Sequence, residues 1–330
     1  MHSLKSNSKW VCMSKYKYEI ILLMSTIAYG VSYPVCKFVQ GYISTFPFMA
    51  FRGVLGFSTA AVWCFISCRR DPSRISGLKN KKMYFFSVMC SMIGGTGMYL
   101  SMYALNFTMA SKASFLTCTY VLMMPLVAFI FFKGRSSASE LLALLVATVG
   151  MSLIAGVVSQ NGVSLSEINK GDIMTLVSAV LIAFQAVYLN WFSKRVEFDV
   201  EAFTMVQMFF TSIVYSAGWL IFAPADKLSF ETPALVAAII FVGVGVAGFA
   251  FLGFNGPVKR LPPARAAIIL STEPIFGATG AYFIHDRWGN NEIMTWLQLL
   301  GCVIVLASVL GSELYSHKKV KATPTDSTAA

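Results

Sequence analysis

Charge is scarce in this chain. Asp, Glu, Lys and Arg make up 12% of its 330 residues, about half the share usual in soluble domains. So little charge cannot cover a soluble surface, whereas a surface facing hydrocarbon needs none. Histidine is nearly missing: His2, His285 and His317 stand alone in tails or a loop, which argues against a metal ligand set. No C-x-x-C occurs. The seven cysteines, Cys12, Cys36, Cys64, Cys68, Cys90, Cys118 and Cys302, are odd in number and mostly lie in apolar runs. They read as small buried hydrophobes, not as a disulfide frame. No G-x-x-x-x-G-K-[ST] loop is present, so ATP is not the direct drive, and no motif calls for a cofactor.

What the chain does have is apolar length. Hydrophobic residues are 56% of the total, and about 20 in a row cross about 30 Å of hydrocarbon. Windows of that kind fall at roughly 18–38, 46–67, 83–105, 112–132 and 139–158, then at 171–192, 202–223, 233–254, 264–284 and 293–313. The runs are continuous and not alternating, which predicts spanning helices and not barrel strands. The first run is as long as a full span and lacks a small-residue cleavage site, so it reads as a membrane helix and not a signal peptide.

The net charge of +11 would suggest nucleic acid if it lay on one soluble face. Instead the cations cluster between alternate windows. If both termini are cytoplasmic, the cytoplasmic side holds every Lys and Arg except Lys37, Arg52, Lys112, Lys170, Lys227 and Arg287. That bias is the positive-inside pattern for ten spans, and it argues against nucleic acid as a partner.

The chain also repeats. Ser111 to Tyr120 (SKASFLTCTY) resembles Ala264 to Glu273 (ARAAIILSTE) at a separation of 153 positions. Arg135 and Glu140 match Arg287 and Glu292 at 152, while Ala28-Tyr29 and Arg52 match Ala183-Phe184 and Gln207 at 155. Five spans per copy is an odd number, so the second copy enters the membrane from the opposite side, as in many secondary transporters. The expected fold is an all-α polytopic membrane protein with ten transmembrane helices in two inverted five-helix repeats. A basic tail (1–17), one repeat (18–158), a second (171–313) and a tail (314–330) make up the chain.

At these residues the sequence resembles the drug/metabolite transporter superfamily, in its EamA-type branch, from about Tyr18 to Leu314. The stretch from Ala28 to Lys37 (AYGVSYPVCK) is similar to the family's opening helix. Phe48 to Arg52 (FMAFR) is similar to its second-helix Arg motif. Ala113 to Thr117 with Pro125 is similar to its fourth helix, and Arg265 to Phe276 (RAAIILSTEPIF) to its ninth. The chain departs from the family at Tyr29, where Trp is frequent, and at Gly134-Arg135 and His285-Asp286-Arg287, where a Gly-Glu-Arg turn is frequent. The resemblance implies ten helices around a central cavity and export or exchange of metabolites across a cell (inner) membrane. Amino acids are one substrate class among several; uptake of a nucleotide-like or cofactor-like metabolite is the alternative. Neither coupling ion nor oligomeric state is implied.

Glu273 is the sharpest single residue. It lies eight positions past Arg265, about 12 Å along a helix, and so near mid-membrane, where a charge costs at least about 2.5 kcal/mol. It must face a cavity or a partner. A proton-coupling or substrate-cation role competes with a structural one, in which it pairs with Arg52 or is hydrogen-bonded as the neutral acid. Tyr120 is its repeat counterpart. Arg52, with Lys37 and Lys112 on the same side, could form an electropositive vestibule, although snorkelling is the commoner fate of the two lysines. Tyr29, Tyr33, Tyr99, Tyr103, Gln185, Tyr188 and Asn190 could line a cavity for an amphipathic ligand. Each is also explained by packing. Gly94, Gly95 and Gly97, and Gly243, Gly245, Gly248 and Gly253, mark either sliding contacts or close packing. An intramembrane enzyme would need paired acids or a buried His, which the windows lack. A scaffold or receptor would be expected to carry a long loop or soluble domain. The expected partners are therefore the bilayer, a small-molecule substrate and a coupled proton.

Overall fold

The computed structural model describes residues 16–72, 81–132, 138–154, 158–159, 162–163, 168–223, 230–261, 269–285, 289 and 292–322. Within them the chain is almost entirely helical. In order come α1 (Lys17–Gln40), α2 (Thr45–Arg70), α3 (Lys81–Ala104), α4 (Ala110–Cys118), α5 (Tyr120–Phe132) and α6 (Ala138–Ile154). A two-residue hairpin follows, β1 (Val158–Ser159) antiparallel to β2 (Gly162–Val163). Then come α7 (Lys170–Ser193), α8 (Val200–Phe222), α9 (Pro233–Ile240), α10 (Phe251–Arg260), α11 (Glu273–Phe283) and α12 (Trp296–Ala322). Helices α9 and α10 are joined without interruption by a π-helical stretch, Phe241–Ala250.

The sequence sets several of these starts. Asn169 caps α7 by accepting from the Asp172 N–H at 2.9 Å, and the Asp172 side chain accepts from the Asn169 N–H. This is a reciprocal capping box. Asp199 accepts from the N–H groups of Glu201 and Ala202 to start α8. Thr232 caps α9, and Pro233 opens it, where its missing N–H does no harm.

Polarity is arranged inside out. Leu220, Ile221, Phe222 and Phe283 are among the most exposed large apolar residues, Phe222 at 72%. Ser87, Ser91, Thr175 and Ser178 are fully buried. Water would penalise such an exterior; lipid does not. Among the described residues six helices are long and apolar enough to cross a membrane, and a seventh follows if α4 and α5 count as one bent span. The chain is a polytopic α-helical membrane protein.

Two expected helices are broken. The window at 112–132 is two helices, with a turn at Thr119 and a 47° bend centred on Pro125, whose ring cannot continue the hydrogen-bond ladder. In the ninth window, α11 begins only at Glu273, after a turn at Ser271 and Thr272. Pro274 sits in its first turn and cannot donate back to the preceding turn. The two breaks have the same local chemistry. The Thr119 hydroxyl donates to Leu116 O at 2.6 Å, and the Thr272 hydroxyl donates to Ile269 O at 2.7 Å. Thr119 and Thr272 are 153 positions apart, the period of the sequence repeat.

Packing follows a regular plan. Helix α2 packs on α8 and on the π stretch, α3 on α7 and α8, and α6 on α12. Helix α1 packs on α10, α11 and the π stretch. Helix α4 packs on α11 and α7, and α5 on α7. Glycines permit the closest approaches. A Cβ at Gly243 would strike Leu55, and one at Gly248 would strike Thr59. Two glycines of the π stretch therefore serve contact with α2, and without side chains they also lower the resistance to unwinding.

Candidate transport cavity

The helices enclose a central cavity of about 130 Å³, well above the roughly 10–15 Å³ that holds one water. Six of the ten expected residues line it: Tyr29 and Tyr33 from α1, Arg52 from α2, Tyr120 from α5, Gln185 from α7 and Glu273 from α11. The other four do not. Tyr99 and Tyr103 stack on each other with centroids 6.0 Å apart, and Tyr99 also packs on Phe46. Tyr188 stacks on Phe86 and Trp191. Asn190 lines a smaller space of about 40 Å³, which shares Ala186, Leu189, Phe254 and Asn255 with the central cavity. The side chains of Arg135, Arg265 and Arg287 lie outside the described residues.

Backbone closeness aims the site. Gly30 lies against the Glu273 carbonyl, where no Cβ fits, and Gly277 lies against Ser114. Thus α1, α4 and α11 meet tightly at the two helix breaks. Gly94 lies under Gln185, and any larger residue there would evict that side chain. Tyr33 meets the hydroxyls of Thr117 and Ser101. Tyr29 packs edge-on against Phe254 with centroids 6.1 Å apart.

Two buried ionisable side chains, Arg52 and Glu273, face this cavity. Arg52 is 5% exposed and Glu273 is 7% exposed. Among the described residues neither takes part in an ion pair. Among the described residues the one hydrogen-bond partner of the Arg52 guanidinium is the Met49 thioether, at 4.0 Å. Pairing of Glu273 with Arg52, one of the two structural alternatives, does not occur in this structure. Tyr29 lies within electrostatic reach of both charges.

Sequence reasoning did not select Gln207, Tyr215 or Asn255, which also line the cavity. The Tyr215 hydroxyl donates to Gly95 O at 2.8 Å and the Asn255 amide donates to Thr204 Oγ1 at 2.9 Å. Gln207 is 2% exposed, and its Oε1 has no hydrogen-bond donor among the described residues. Its position as the repeat counterpart of Arg52 was the signal available in the sequence.

One end of the cavity is closed by polar contacts. Lys37 Nζ donates to Glu292 Oε1 and to Thr108 O, both at 2.8 Å. Glu292 also accepts from Ala110 N–H at 2.7 Å, from Ser111 N–H at 2.9 Å and from the Ser111 hydroxyl at 2.9 Å. Its carboxylate thereby caps α4, where the helix dipole favours negative charge. Lys112 Nζ meets Asp172 Oδ2 at 2.9 Å, and the Thr108 hydroxyl donates to Asp172 Oδ1 at 2.7 Å. The vestibule expected from Lys37 and Lys112 is absent because acids from the second half neutralise both. Burial pushes the Glu292 carboxyl up, but Lys37 and the N–H groups of Ser111 and Ala110 outweigh it and hold the group below its ordinary range. Cys36, Ile43, Phe48, Met102 and Leu105 belong to one buried apolar cluster at this end of the helices.

The EamA-like transporter family matches this chain twice, over residues 16–156 and 169–313. The chain belongs to that family. Relatives named as transporters share its length. An uncharacterized transporter of Archaeoglobus fulgidus is 23% identical over 294 residues, covering 88% of this chain and 84% of the relative. Solute carrier family 35 member F6 of Mus musculus is 24% identical over 309 residues, covering 85% and 80%. One crystal structure superposes with a TM-score of 0.64 at 13% identity, over 92% of this chain and 98% of the other, and so shares the fold. As an EamA-like protein the chain is a membrane transporter and not an enzyme.

Proposed function

We propose that this EamA-like protein is a secondary transporter that moves a small amphipathic metabolite of amino-acid size through the central cavity by alternating access. Ten spanning segments form two inverted five-helix repeats: α1, α2, α3, α4–α5 and α6, then α7, α8, α9 through α10, α11 and α12. The observation that carries this reading is the pair of helix breaks at Thr119-Tyr120 and Thr272-Glu273, from which Tyr120 and Glu273 both line the central cavity. Discontinuous helices at a repeat interface are the usual place for a carrier to hold its substrate.

The packing plan supports the repeat. Exchanging each segment of one half for its counterpart leaves the plan unchanged. Contacts α2–α8, α6–α12 and α4–α11 join counterparts. The contact of α3 with α7 maps onto that of α1 with the π stretch and α10, and α3–α8 maps onto α2 with the π stretch. The contact of α1 with α11 maps onto that of α4–α5 with α7. The two matches to one family point the same way. One repeat rocks against the other, opening the end now closed by Lys37, Lys112, Asp172 and Glu292.

The distribution of Lys and Arg supports cytoplasmic termini, and on that reading the closed end is the outer one. Efflux or exchange across the cell (inner) membrane follows from the family resemblance, with the substrate gradient or a proton as drive. The purified protein in proteoliposomes should exchange labelled internal metabolite for external metabolite of the same kind. No exchange across a broad metabolite panel would favour a scaffold. A tag in the connector at 160–167 should lie across the membrane from both termini, and a tag on their side would defeat the inverted repeat.

A further inference from the structure

The smaller space beside the central cavity holds about 40 Å³. It is lined by the end of α7, the start of α8 and the end of α10, with Asn190, Ser193, Asn255 and Val258 among its walls. In the inverted-repeat reading α1 and α7, both 24 residues long, correspond at a shift of 153, two fewer than Ala28-Tyr29 and Ala183-Phe184 suggest. Tyr29, Ser32 and Tyr33 then match Ile182, Gln185 and Ala186, and all six line the central cavity. At the same shift Asn190, Ser193, Asn255 and Val258 are the images of Lys37, Gln40, Met102 and Leu105. Those four belong to the closed end. Lys37 meets Glu292, the Gln40 amide donates to Met102 O at 2.8 Å and so ties α1 to α3, and Met102 and Leu105 are each 1% exposed. Their images are not tied in this way. Ser193 Oγ turns back to Asn190 O at 2.9 Å, within α7, and Asn190 is exposed.

We propose that this space is the cytoplasmic half of the cargo path, and that the carrier rests facing inward because its two closures differ in charge. On the distribution of Lys and Arg, the ends of α7 and α10 and the start of α8 lie on the cytoplasmic side. Cargo leaving the central cavity passes Leu189 and Phe254, which border both spaces, and then the amide of Asn190 and the hydroxyl of Ser193. To face outward, the carrier must close this passage and open its image. Outer closure makes the Lys37–Glu292 pair; inner closure sets the neutral Asn190 where the outer end has Lys37. Charge-assisted bonds are about twice as strong as neutral ones, so the outer closure is the stronger and the inward-facing state the more populated. Opening outward also uncovers Met102 and Leu105, whereas opening inward uncovers Asn255 and Val258, one apolar side chain fewer. This assignment rests on the alternating-access reading and adds to it the inner route and the resting state.

The test uses the full chain in right-side-out and inside-out vesicles and a membrane-impermeant maleimide, with label counted above that of the parent chain. Ser193→Cys should label from the cytoplasmic side only. Gln40→Cys, its outer image, should label from the outside at least about 10-fold more slowly, because a minor state holds at most about 10% of the population. Lys37→Asn makes the two closures alike. Outside labelling of Gln40→Cys should then rise about 10-fold, and inside labelling of Ser193→Cys should fall by about half. The linked fall separates a shift between two states from local loosening of the outer end. Met102→Asn leaves the ion pair intact and should move both labels in the same directions, which keeps the test decisive if Lys37→Asn fails to fold. Labelling of Ser193→Cys from the outside, equal rates at the two ends before either change, or a rise at Gln40→Cys without the fall at Ser193→Cys would overturn the proposal. Counterflow then separates it from the transport reading. Counterflow should stop once Ser193→Cys carries the label, and undiminished counterflow would overturn the route. Sided labelling in a chain that exchanges nothing would remove the transport reading and leave the inward-facing rest state standing.

Discussion

The closed end and the central cavity are both built from buried or half-buried charge, yet they treat it in opposite ways. At the closed end Lys37, Lys112, Asp172 and Glu292 form two ion pairs, with extra hydrogen bonds on both carboxylates. In the cavity Arg52 and Glu273 remain apart. Pairing makes the first set a structural staple that ties α1, α4, α7 and the start of α12 together. Separation leaves the second set facing the cavity with no ion pair among the described residues. Placing a charge in the membrane is unfavourable in either case; what it achieves depends on whether the chain itself supplies the partner.

That contrast can be broken most directly at Lys112. Lys112→Ala strands the buried Asp172 and should lower unfolding free energy by about 3 kcal/mol, read from denaturation in detergent. Arg52→Gln should do the opposite: unfolding free energy stays level or rises, while counterflow of the cargo falls at least about 30-fold. If Arg52→Gln destabilised the fold as Lys112→Ala does, the two regions would be alike and the contrast would be lost.

Glu292→Gln sharpens the picture of the closed end as a gate. It removes charge-assisted bonds to Lys37, Ala110 and Ser111 and should reduce stability by about 2 kcal/mol. Maleimide labelling of Cys36, fully buried one residue before Lys37, should rise in a background stripped of the other cysteines. Unchanged labelling would mean that the ion pair is not a gate. Acid should act in the same direction. Because the Glu292 carboxyl is held below its ordinary value of about 4.3, its contribution is complete above that value. It is lost as pH falls through the lower folded-state value. Unfolding free energy should therefore fall on acidification below that ordinary value in the parent, and fall less in Glu292→Gln. The smallest expected effect is Tyr215→Phe, which gives up the bond to Gly95 O and should reduce stability by about 1 kcal/mol, measured by the same denaturation.

Much of the site was legible because a membrane makes polarity conspicuous. Glu273 and Arg52 stood out as charges within apolar runs, and both line the cavity. Tyrosines were harder, since a phenol suits a cavity, an interface or a stack. Tyr29, Tyr33 and Tyr120 reach the cavity while Tyr99, Tyr103 and Tyr188 join aromatic stacks. Helical spacing alone does not tell which face of α3 or α7 looks inward when hydrocarbon surrounds the outer face. Gln207 illustrates the same limit: the repeat aligned it with Arg52, but only the fold turned it to the cavity wall.

Apolar run length by itself determined that this chain lives in lipid as helices, and the 153-residue period determined that Thr119-Tyr120 and Thr272-Glu273 correspond. Hydrophobic burial and backbone satisfaction act on every residue locally, so they can be read from order and spacing. Which charges pair was decided by tertiary structure alone. Lys37 meets Glu292 across 255 positions of sequence and Lys112 meets Asp172 across 60, while Arg52 and Glu273 share one cavity without meeting. Coulomb attraction depends on distance in space, and that distance exists only once the helices have packed.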